Sequence, residues 1–324
     1  MLVSVLLFAV GLVLLIKGGD WFVDGATGIA KRFNLPDIVV GATVVSIGTT
    51  LPEVMVSTTG ALAGSGAMAY GNAIGSIICN TALIAAISIT CNPGPVNVKS
   101  MKTPAIFFFC SAALYCLAAY GLGTFPRWMG FVMLAIFVAY TVLTVRNGLK
   151  NPDTSEEEEE DEGKERKLWQ ELVLLVIGAA VIAVGADLLV DHGQIIAIGL
   201  GVPETVVALL FVALGTSLPE LVTTITSLKK GRASLGVGNV IGANVFNLVL
   251  VSGVAVSLAP FDVPVENTLL NTGLNLSLVF DIPVMLGVMS LMIFPALAKK
   301  KLGRWQGILL LCIYAAFCVC QFML

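Results

Sequence analysis

An internal repeat constrains the fold of this chain more than any other feature of its sequence. When the sequence is shifted by 167 residues, the two halves align without a gap from Gly18 to Asn80. The segment Gly48–Glu53 (GTTLPE) then coincides with Gly215–Glu220 (GTSLPE), and Asn80 coincides with Asn247. Chance does not keep one offset over so many polar positions inside apolar segments. The two halves are therefore copies of one structural unit.

The composition of the chain indicates that these copies lie in lipid. Of its 324 residues, 57% are hydrophobic and only 12% are charged, about half the charged share of a soluble domain. A helix needs about 20 apolar residues to cross the hydrocarbon core of a bilayer, and the sequence holds ten such runs. We expect membrane spans at 2–29, 36–63, 68–91, 103–120, 126–146, 168–197, 203–228, 234–259, 275–297 and 303–323.

The distribution of basic residues orients these spans. All of the 18 Lys and Arg residues except Lys17 and Arg127 lie in one set of alternate loops, which the positive-inside rule assigns to the cytoplasm. Both termini are therefore expected outside, in a cell inner (plasma) membrane. Because each half has five spans, an odd number, the second half crosses in the opposite sense. The predicted fold is an all-α membrane protein of ten transmembrane helices in two inverted-topology repeats, as in many secondary transporters.

The repeat also divides the chain into segments, each copy carrying a polar motif. The expected segments are a first five-helix repeat at 1–146 with its motif at 41–83, a cytoplasmic loop at 147–167, and a second five-helix repeat at 168–324 with its motif at 208–250. The loop contains the acidic run Glu156–Glu162. Runs of like charge are usually solvated linkers, and a regulatory role for this one stays open.

The two glutamates of the repeated motif are the strongest candidates for a functional site. Glu53 and Glu220 lie well inside apolar spans, where an unpaired charge is costly and usually faces a partner or a cation path. Pro52 and Pro219 precede them and cannot donate a backbone hydrogen bond to the glycine carbonyl four residues earlier. We expect each helix to unwind over Gly-Thr-(Thr/Ser)-Leu and to free carbonyl oxygens there.

The side chains around these glutamates predict a site for a hard cation. The motif supplies hydroxyls in both copies, at Thr49, Thr50, Thr216 and Ser217. Oxygen-only ligands favour Ca2+ or Na+ over zinc or copper, and two negative charges match one divalent ion. Asn80 and Asn247 are expected to line the site. Asn72 and Asn239 either line it too or join the helices by hydrogen bonds.

At these residues the chain resembles the sodium/calcium exchangers of the cation/Ca2+ exchanger superfamily, in their prokaryotic form. The paired GT(T/S)LPE and GN(A/V)IG…N segments are similar to that family's alpha-repeats. The resemblance implies a Na+-for-Ca2+ antiporter working by alternating access, with both ions as transported substrates, no cofactor and no obligatory protein partner. The residues that it assigns to the ion sites are Glu53, Glu220, Thr49, Thr216, Thr50, Ser217, Ser46, Ala213 and Ser76.

The resemblance gives these residues different roles. The two glutamates ligate Ca2+ and share Na+ sites, Thr49 and Thr216 bind through their carbonyls, and Thr50 and Ser217 bind Na+. The backbone oxygens of Ser46 and Ala213 and the side chain of Ser76 line the inner and outer Na+ sites.

One departure from the family pattern concerns charge. Asn247 stands where many relatives carry Asp, which leaves two formal charges in the site and argues against K+ co-transport.

Other functions stay open on the sequence alone. They are a proton/Ca2+ or other cation antiporter of the same superfamily, an intramembrane hydrolase, and a passive channel. A hydrolase would need a Ser–His or Asp–Asp pair in the membrane, and His192, the only histidine, lies near the end of its span. An enzyme is therefore not expected. A nucleic-acid partner is not expected either, because the sequence has no basic patch with interleaved aromatic residues.

Overall fold

The computed structural model of the chain describes residues 2–150, 166–200, 215–264 and 275–323. These residues are almost entirely helical. The helices are α1 (Leu2–Arg32), α2 (Asp37–Thr49), α3 (Leu51–Leu62), α4 (Gly66–Cys91), α5 (Val98–Leu122), α6 (Arg127–Lys150), α7 (Leu168–Gly199), α8 (Leu218–Lys229), α9 (Ala233–Leu258), α10 (Ser277–Lys299) and α11 (Arg304–Met323). The strands are β1 (Gly94–Pro95), β2 (Thr124–Phe125), β3 (Phe261–Asp262) and β4 (Lys301–Leu302).

The helices agree with the expected membrane spans in most places. Within the described residues, eight helices are long and apolar enough to cross a membrane, and α2 with α3 forms one further span bent by 45°. The expected span at 203–228 begins outside the described residues, and α8 is its described part. Helix α6 continues to Lys150, so the segment 147–167, predicted to be cytoplasmic, begins with the end of this helix. Residues 151–165, with the acidic run, lie outside the described residues.

The beginning of α5 shows what hydropathy misses. The span was expected from residue 103, but the helix begins at Val98. The side chain of Asn97 accepts hydrogen bonds from the backbone N–H groups of Lys99 (3.1 Å) and Ser100 (3.3 Å). This N-cap satisfies two donors that the first turn of a helix leaves unpaired. The helix therefore starts among charged residues that a hydropathy criterion excludes.

Helices α1 and α7 cross at glycines. A Cβ atom on Gly11 would lie 2.9 Å from the carbonyl oxygen of Gly185, and one on Gly18 would lie 3.1 Å from that of Gly178. Glycine at these positions lets the two backbones touch. The residue number increases along α1 from one contact to the next, from Gly11 to Gly18, while that of its partner on α7 decreases, from Gly185 to Gly178. The two helices therefore run antiparallel. The sequence repeat aligns Gly11 with Gly178 and Gly18 with Gly185, so the contact pairs equivalent residues in a reciprocal way.

The centre of the molecule is formed by α4 and α9, which carry the Asn-containing segments. In the most apolar 18-residue stretch of each helix, 72% of the residues of α4 and 83% of those of α9 are buried. The corresponding share is 28% in both α1 and α6. Helix α9 packs directly on α2, where Gly238 meets the backbone of Ile38 and Gly242 meets that of Ala42. These glycines leave room for α2 to lie against α9, which brings the end of α2 to the centre of the bundle.

Two short antiparallel sheets join helix ends. Strand β1 pairs with β4, and β2 pairs with β3. The repeat aligns β1 with β3, and the sheets lie at opposite ends of α5, which begins after β1 and ends before β2. Each sheet therefore joins a loop of one half to a loop of the other.

Candidate ion-binding site

The repeated motif forms a bend between two helices in the first half and a turn before a helix in the second. Thr50 (φ −85°, ψ −2°) separates α2 from α3, and Ser217 (φ −90°, ψ 4°) precedes α8. Both residues lie in the sparsely allowed bridge region between helix and strand. The predicted break is therefore present in the first copy, and in the second copy Thr216 and Ser217 form a turn before α8 begins at Leu218. In the first copy it is shorter than predicted, because Gly48 and Thr49 remain in α2 and the Thr50 N–H donates to the Ser46 carbonyl at 3.0 Å.

The two glutamates lie in the first turns of α3 and α8, just after the bends. Glu53 and Glu220 are both fully buried. No described residue donates a hydrogen bond of good geometry to any of their four carboxylate oxygens. The carboxylate of Glu220 lies close enough to Glu53 to repel it. Buried carboxylates without donors are strongly destabilising unless a cation or a proton neutralises them.

Hydroxyls and amides join the two halves around these carboxylates. The Thr49 hydroxyl donates to Asn239 Oδ1 at 3.1 Å, and the Thr216 hydroxyl donates to Asn72 Oδ1 at 3.4 Å. The repeat aligns Thr49 with Thr216 and Asn72 with Asn239, so the two bonds are equivalent. The amides at 72 and 239 thus connect helices across the halves, which is one of the two roles that the sequence left open.

The first-half hydroxyls also approach the second-half carboxylate. Thr49 and Thr50 lie next to the carboxylate of Glu220. The Thr50 hydroxyl is buried and has no hydrogen-bond partner among the described residues. In the second half, the Ser217 hydroxyl is likewise buried without a described partner, and it lies near the thiol of Cys79 on α4.

The remaining polar positions predicted for the site lie on α4 and α9. Ser76, Asn80 and Asn247 are all buried. The Ser76 hydroxyl and both amide atoms of Asn80 have no hydrogen-bond partner among the described residues. Asn247 donates its amide N–H to the Ala243 carbonyl at 3.0 Å, while its Oδ1 has no described partner. Asn247 therefore has an oxygen free to bind a cation and an amide group that is already fixed.

The two backbone positions predicted for Na+ have different outcomes. The Ser46 carbonyl accepts the Thr50 N–H, and the Ser46 hydroxyl donates to the Asn239 carbonyl at 2.9 Å. A carbonyl oxygen has a second lone pair, so Ser46 can still offer an oxygen. Ala213 lies outside the described residues.

Sequence reasoning missed several polar residues one turn beyond the glutamates. Ser57 is buried and accepts a hydrogen bond from Asn72 Nδ2 at 2.8 Å, and the same amide donates to the Glu53 carbonyl at 3.3 Å. In the second half, Thr223 and Thr224 are buried with hydroxyls that have no described partner. Their signal was available, because positions three and four residues after a helical residue share its face.

Wide helical turns mark both asparagines of the site. Asn80–Ala85 in α4 and Asn247–Val251 in α9 are π-helical, and each segment begins at the predicted site asparagine. A π-helical turn shifts the register of the helix and is often found at functional sites. Each of these turns reorients the face of the helix at the asparagine. No composition or motif signal in the sequence predicts them.

The donor set determines which ions the site can accept. Among the described residues there is no group of three or more His, Cys, Asp or Glu side chains that could hold a metal. The donors are two carboxylates, hydroxyls, amide oxygens and backbone carbonyls. Hard oxygen ligands of this kind suit Ca2+ and Na+, and zinc or copper sites use imidazole or thiolate instead.

Comparison with known proteins identifies the family of the chain. The profile of the sodium/calcium exchanger protein family matches residues 3–146 and 171–323, which include both bent motifs and both central helices. The chain belongs to the sodium/calcium exchanger family.

Individual relatives match over nearly the whole chain. The membrane protein MJ0091 of Methanocaldococcus jannaschii is 35% identical over 95% of this chain and 94% of its own length. The sodium/calcium exchanger MaX1 of Methanosarcina acetivorans is 29% identical over 99% of both chains. A solved structure of the sodium-calcium exchanger NCX_Mj, soaked with Na+, superposes with a TM-score of 0.78 at 32% identity and covers 97% of both chains. The multi-pass membrane fold is thus shared along the full length.

Proposed function

We propose that this protein is a Na+/Ca2+ antiporter whose two ions compete for one site formed around Glu53 and Glu220. The observation that carries the proposal is the pair of equivalent, fully buried carboxylates, which repel each other and accept no hydrogen bond of good geometry from any described residue. One Ca2+ neutralises both charges. Na+ ions that occupy the same carboxylates also remove the repulsion, so either substrate stabilises the site and an empty site is unfavourable.

The neighbouring oxygens are proposed to complete the shells of both ions. Thr50, Ser217 and Ser76 have hydroxyls available for Na+, and Asn80 and Asn247 have free amide oxygens. Thr49 and Thr216 use their hydroxyls for the contacts across the halves, which leaves their carbonyls as the ligands. Ser46 and Ala213 are proposed as backbone ligands because the resemblance to the family assigns them to the Na+ sites.

Alternating access is proposed to follow from two inverted repeats, 1–146 and 168–324, with ten spans in all. The antiparallel crossing of α1 and α7 at reciprocal glycines supports this arrangement. So do the paired contacts of Thr49 with Asn239 and of Thr216 with Asn72. In this proposal α1 and α7 move as one unit over the other helices and open the site to each side in turn.

The proposed topology has both termini outside and the loop 147–167 in the cytoplasm. Its support is the bias of the basic residues toward one set of loops. A location in the inner membrane is supported by the inner membrane protein YrbG of Escherichia coli, which is 30% identical over 81% of this chain.

Transport by purified protein in sealed vesicles tests the proposal. Vesicles preloaded with Na+ should take up 45Ca2+ when diluted into Na+-free medium, and vesicles preloaded with choline should not. Uptake driven equally by a pH gradient without Na+ would identify a proton/Ca2+ antiporter instead. Uptake that runs down a Ca2+ gradient without any counter-ion would identify a channel. Both of these results would overturn the proposal.

A further inference from the structure

The short sheets at the two ends of α5 allow a comparison within the molecule. The register of β1 with β4 and of β3 with β2 makes Lys301 equivalent to Thr124 and Leu302 equivalent to Phe125. The hydrogen bonds agree, because Val96 N–H donates to the Lys300 carbonyl at 3.0 Å and the equivalent Val263 N–H donates to the Gly123 carbonyl at 2.9 Å. The two loops are therefore the same structure built from different residues.

The equivalence of the two loops shows that Arg304 has a structural role, in contrast to the three lysines before it. The Arg304 guanidinium donates to the Thr90 carbonyl at 3.0 Å, near the end of α4. Its counterpart Arg127 donates to the Leu258 carbonyl at 3.2 Å, at the end of α9. Both arginines thus satisfy carbonyls that the last turn of a helix leaves unpaired. Arg304 is accounted for by the fold.

The lysines of the same loop are not accounted for in this way. Lys299, Lys300 and Lys301 occupy the places of Leu122, Gly123 and Thr124, which carry no charge. The backbone at Lys300 has φ 53°, and that at Gly123 has φ 67°. Residues with a Cβ atom rarely adopt this left-handed conformation, so the fold favours glycine at Lys300. The loop carries a lysine there in spite of its own conformational preference.

The three lysines border an open cleft at the end of the membrane-spanning helices. The cleft has a volume of about 540 Å³ and is lined by Pro93–Pro95 and Lys299–Arg304. All three lysines are exposed, and in the part of the chain that the structure describes no carboxylate lies within ion-pair distance of them. The Lys299 ammonium lies over the ring of Trp305, 5.6 Å from its centre. Tryptophan side chains concentrate at the level of lipid headgroups.

An apolar surface continues from the cleft along α11. Trp305, Ile308 and Leu309 are 48%, 49% and 42% exposed. A surface of this kind within a membrane-spanning helix faces acyl chains. The positive cleft at headgroup level and the apolar face beneath it match the two parts of an anionic phospholipid, a phosphate and its acyl chains.

We propose that Lys299, Lys300 and Lys301 form a binding site for an anionic phospholipid, with its phosphate in the cleft and its chains along α11. Topology alone explains the excess of lysines on this side of the membrane, but it does not explain a lysine in a left-handed conformation that glycine would adopt freely. Trp305 provides the probe. A protein that keeps Trp305 and has phenylalanine at Trp21, Trp128 and Trp169 is reconstituted with brominated phosphatidylglycerol or brominated phosphatidylcholine, and quenching of its fluorescence is measured.

Phosphatidylglycerol is expected to bind next to Trp305 with a preference on the order of tenfold over phosphatidylcholine. The triple variant Lys299→Gln, Lys300→Gly, Lys301→Thr should lose this preference. It should fold, because Gly and Thr are the residues of the equivalent loop and Gln keeps a polar side chain at the exposed position 299. The control Arg146→Gln, Lys150→Gln, Lys167→Gln removes the same charge from exposed positions elsewhere and should keep the preference. Equal quenching by both lipids in the parent, or an unchanged preference in the triple variant, would overturn the proposal.

Two further arms identify the occupant. Inorganic phosphate at constant ionic strength should not compete, and if it abolished the preference the site would bind soluble anions instead of lipid. A second variant replaces the acids of Glu156–Glu162 by their amides. If the preference for phosphatidylglycerol appeared only in this variant, the acidic run of the chain itself would occupy the cleft, and the proposal would be wrong. Should the tryptophan-reduced protein not fold, native mass spectrometry of the unmodified and triple-variant proteins counts retained phosphatidylglycerol directly, with retention lost only in the variant as the expected result.

Discussion

The hydroxyl of Thr49 donates a hydrogen bond across the molecule to the amide oxygen of Asn239, 3.1 Å away. Thr49 ends the helix that leads to Glu53, and Asn239 belongs to the central helix of the other half. The bond therefore fixes the bend beside one carboxylate to the opposite repeat. Its counterpart from Thr216 to Asn72 does the same at the other carboxylate.

Removing the Thr49 hydroxyl should weaken both stability and transport. Asn239 Oδ1 accepts hydrogen bonds from the hydroxyls of Thr49 (3.1 Å) and Ser46 (3.3 Å). Thr49→Val removes the shorter of the two, and the loss of one buried hydrogen bond costs about 0.5–1.5 kcal/mol. We expect a lower midpoint of thermal unfolding in detergent and a lower maximal rate of Na+-driven Ca2+ uptake. Thr59→Val is the matched control, because Thr59 is exposed and bonds only within its own helix. Equal effects of the two substitutions would contradict the role given to the cross-half bond.

Neutralising either glutamate should abolish exchange. Glu53→Gln or Glu220→Gln removes one of two formal charges that face the ion, and we expect Na+-driven Ca2+ uptake to fall roughly 100-fold, since carboxylates provide most of the attraction for Ca2+. The protein should still insert and fold, because the change also removes the repulsion between the carboxylates. Glu171→Gln is the control, since Glu171 is a buried acid next to Arg166, away from the bends. Near-normal uptake in either site variant would disprove the site.

Adding a carboxylate at the asparagine should change the ion dependence. Asn247 is buried and its Oδ1 has no described partner, so Asn247→Asp places a third negative charge beside the first two. Protons should then compete with the cations. As the pH of the medium is lowered, Ca2+ uptake should therefore decrease more steeply in the variant than in the parent. The measurement is Ca2+ uptake against pH at fixed Na+ loading. Identical pH profiles would remove Asn247 from the site.

The crossing of α1 and α7 should not tolerate a methyl group. A Cβ on Gly18 would lie 2.9 Å from the Ile182 backbone nitrogen, so Gly18→Ala forces the helices apart and should lower the unfolding midpoint and the transport rate. Gly287 is the control, because it lies inside α10, where an added methyl group would have no described atom of another residue packed within 4 Å. Gly287→Ala should be neutral or stabilising by about 1 kcal/mol through helix propensity. If Gly18→Ala behaved like Gly287→Ala, the tight crossing would not be needed.

Much of the site followed from the sequence because its signals are local. A proline two residues after a threonine or serine, and a glutamate after it, predict a bend with a buried charge wherever the segment is apolar, and the repeat predicts that this happens twice. The bends at Thr50 and Ser217 and the burial of Glu53 and Glu220 accordingly agree with expectation. The predicted beginning of α5 was wrong, because the N-cap at Asn97 starts the helix among charged residues that hydropathy excludes from a span.

The sequence by itself determined that the chain lies in a membrane, that it is duplicated, and that each copy buries one carboxylate in oxygen-rich surroundings. Only the tertiary structure decided which groups meet. Thr49 contacts Asn239 instead of Asn72, and Asn72 uses its amide for Ser57 and the Glu53 backbone. The contact of Thr49 with Asn239 depends on how closely glycines let α2 approach α9, and π-helical turns set the helix register at Asn80 and Asn247. Both are properties of packing between distant segments, and local sequence preferences do not specify them.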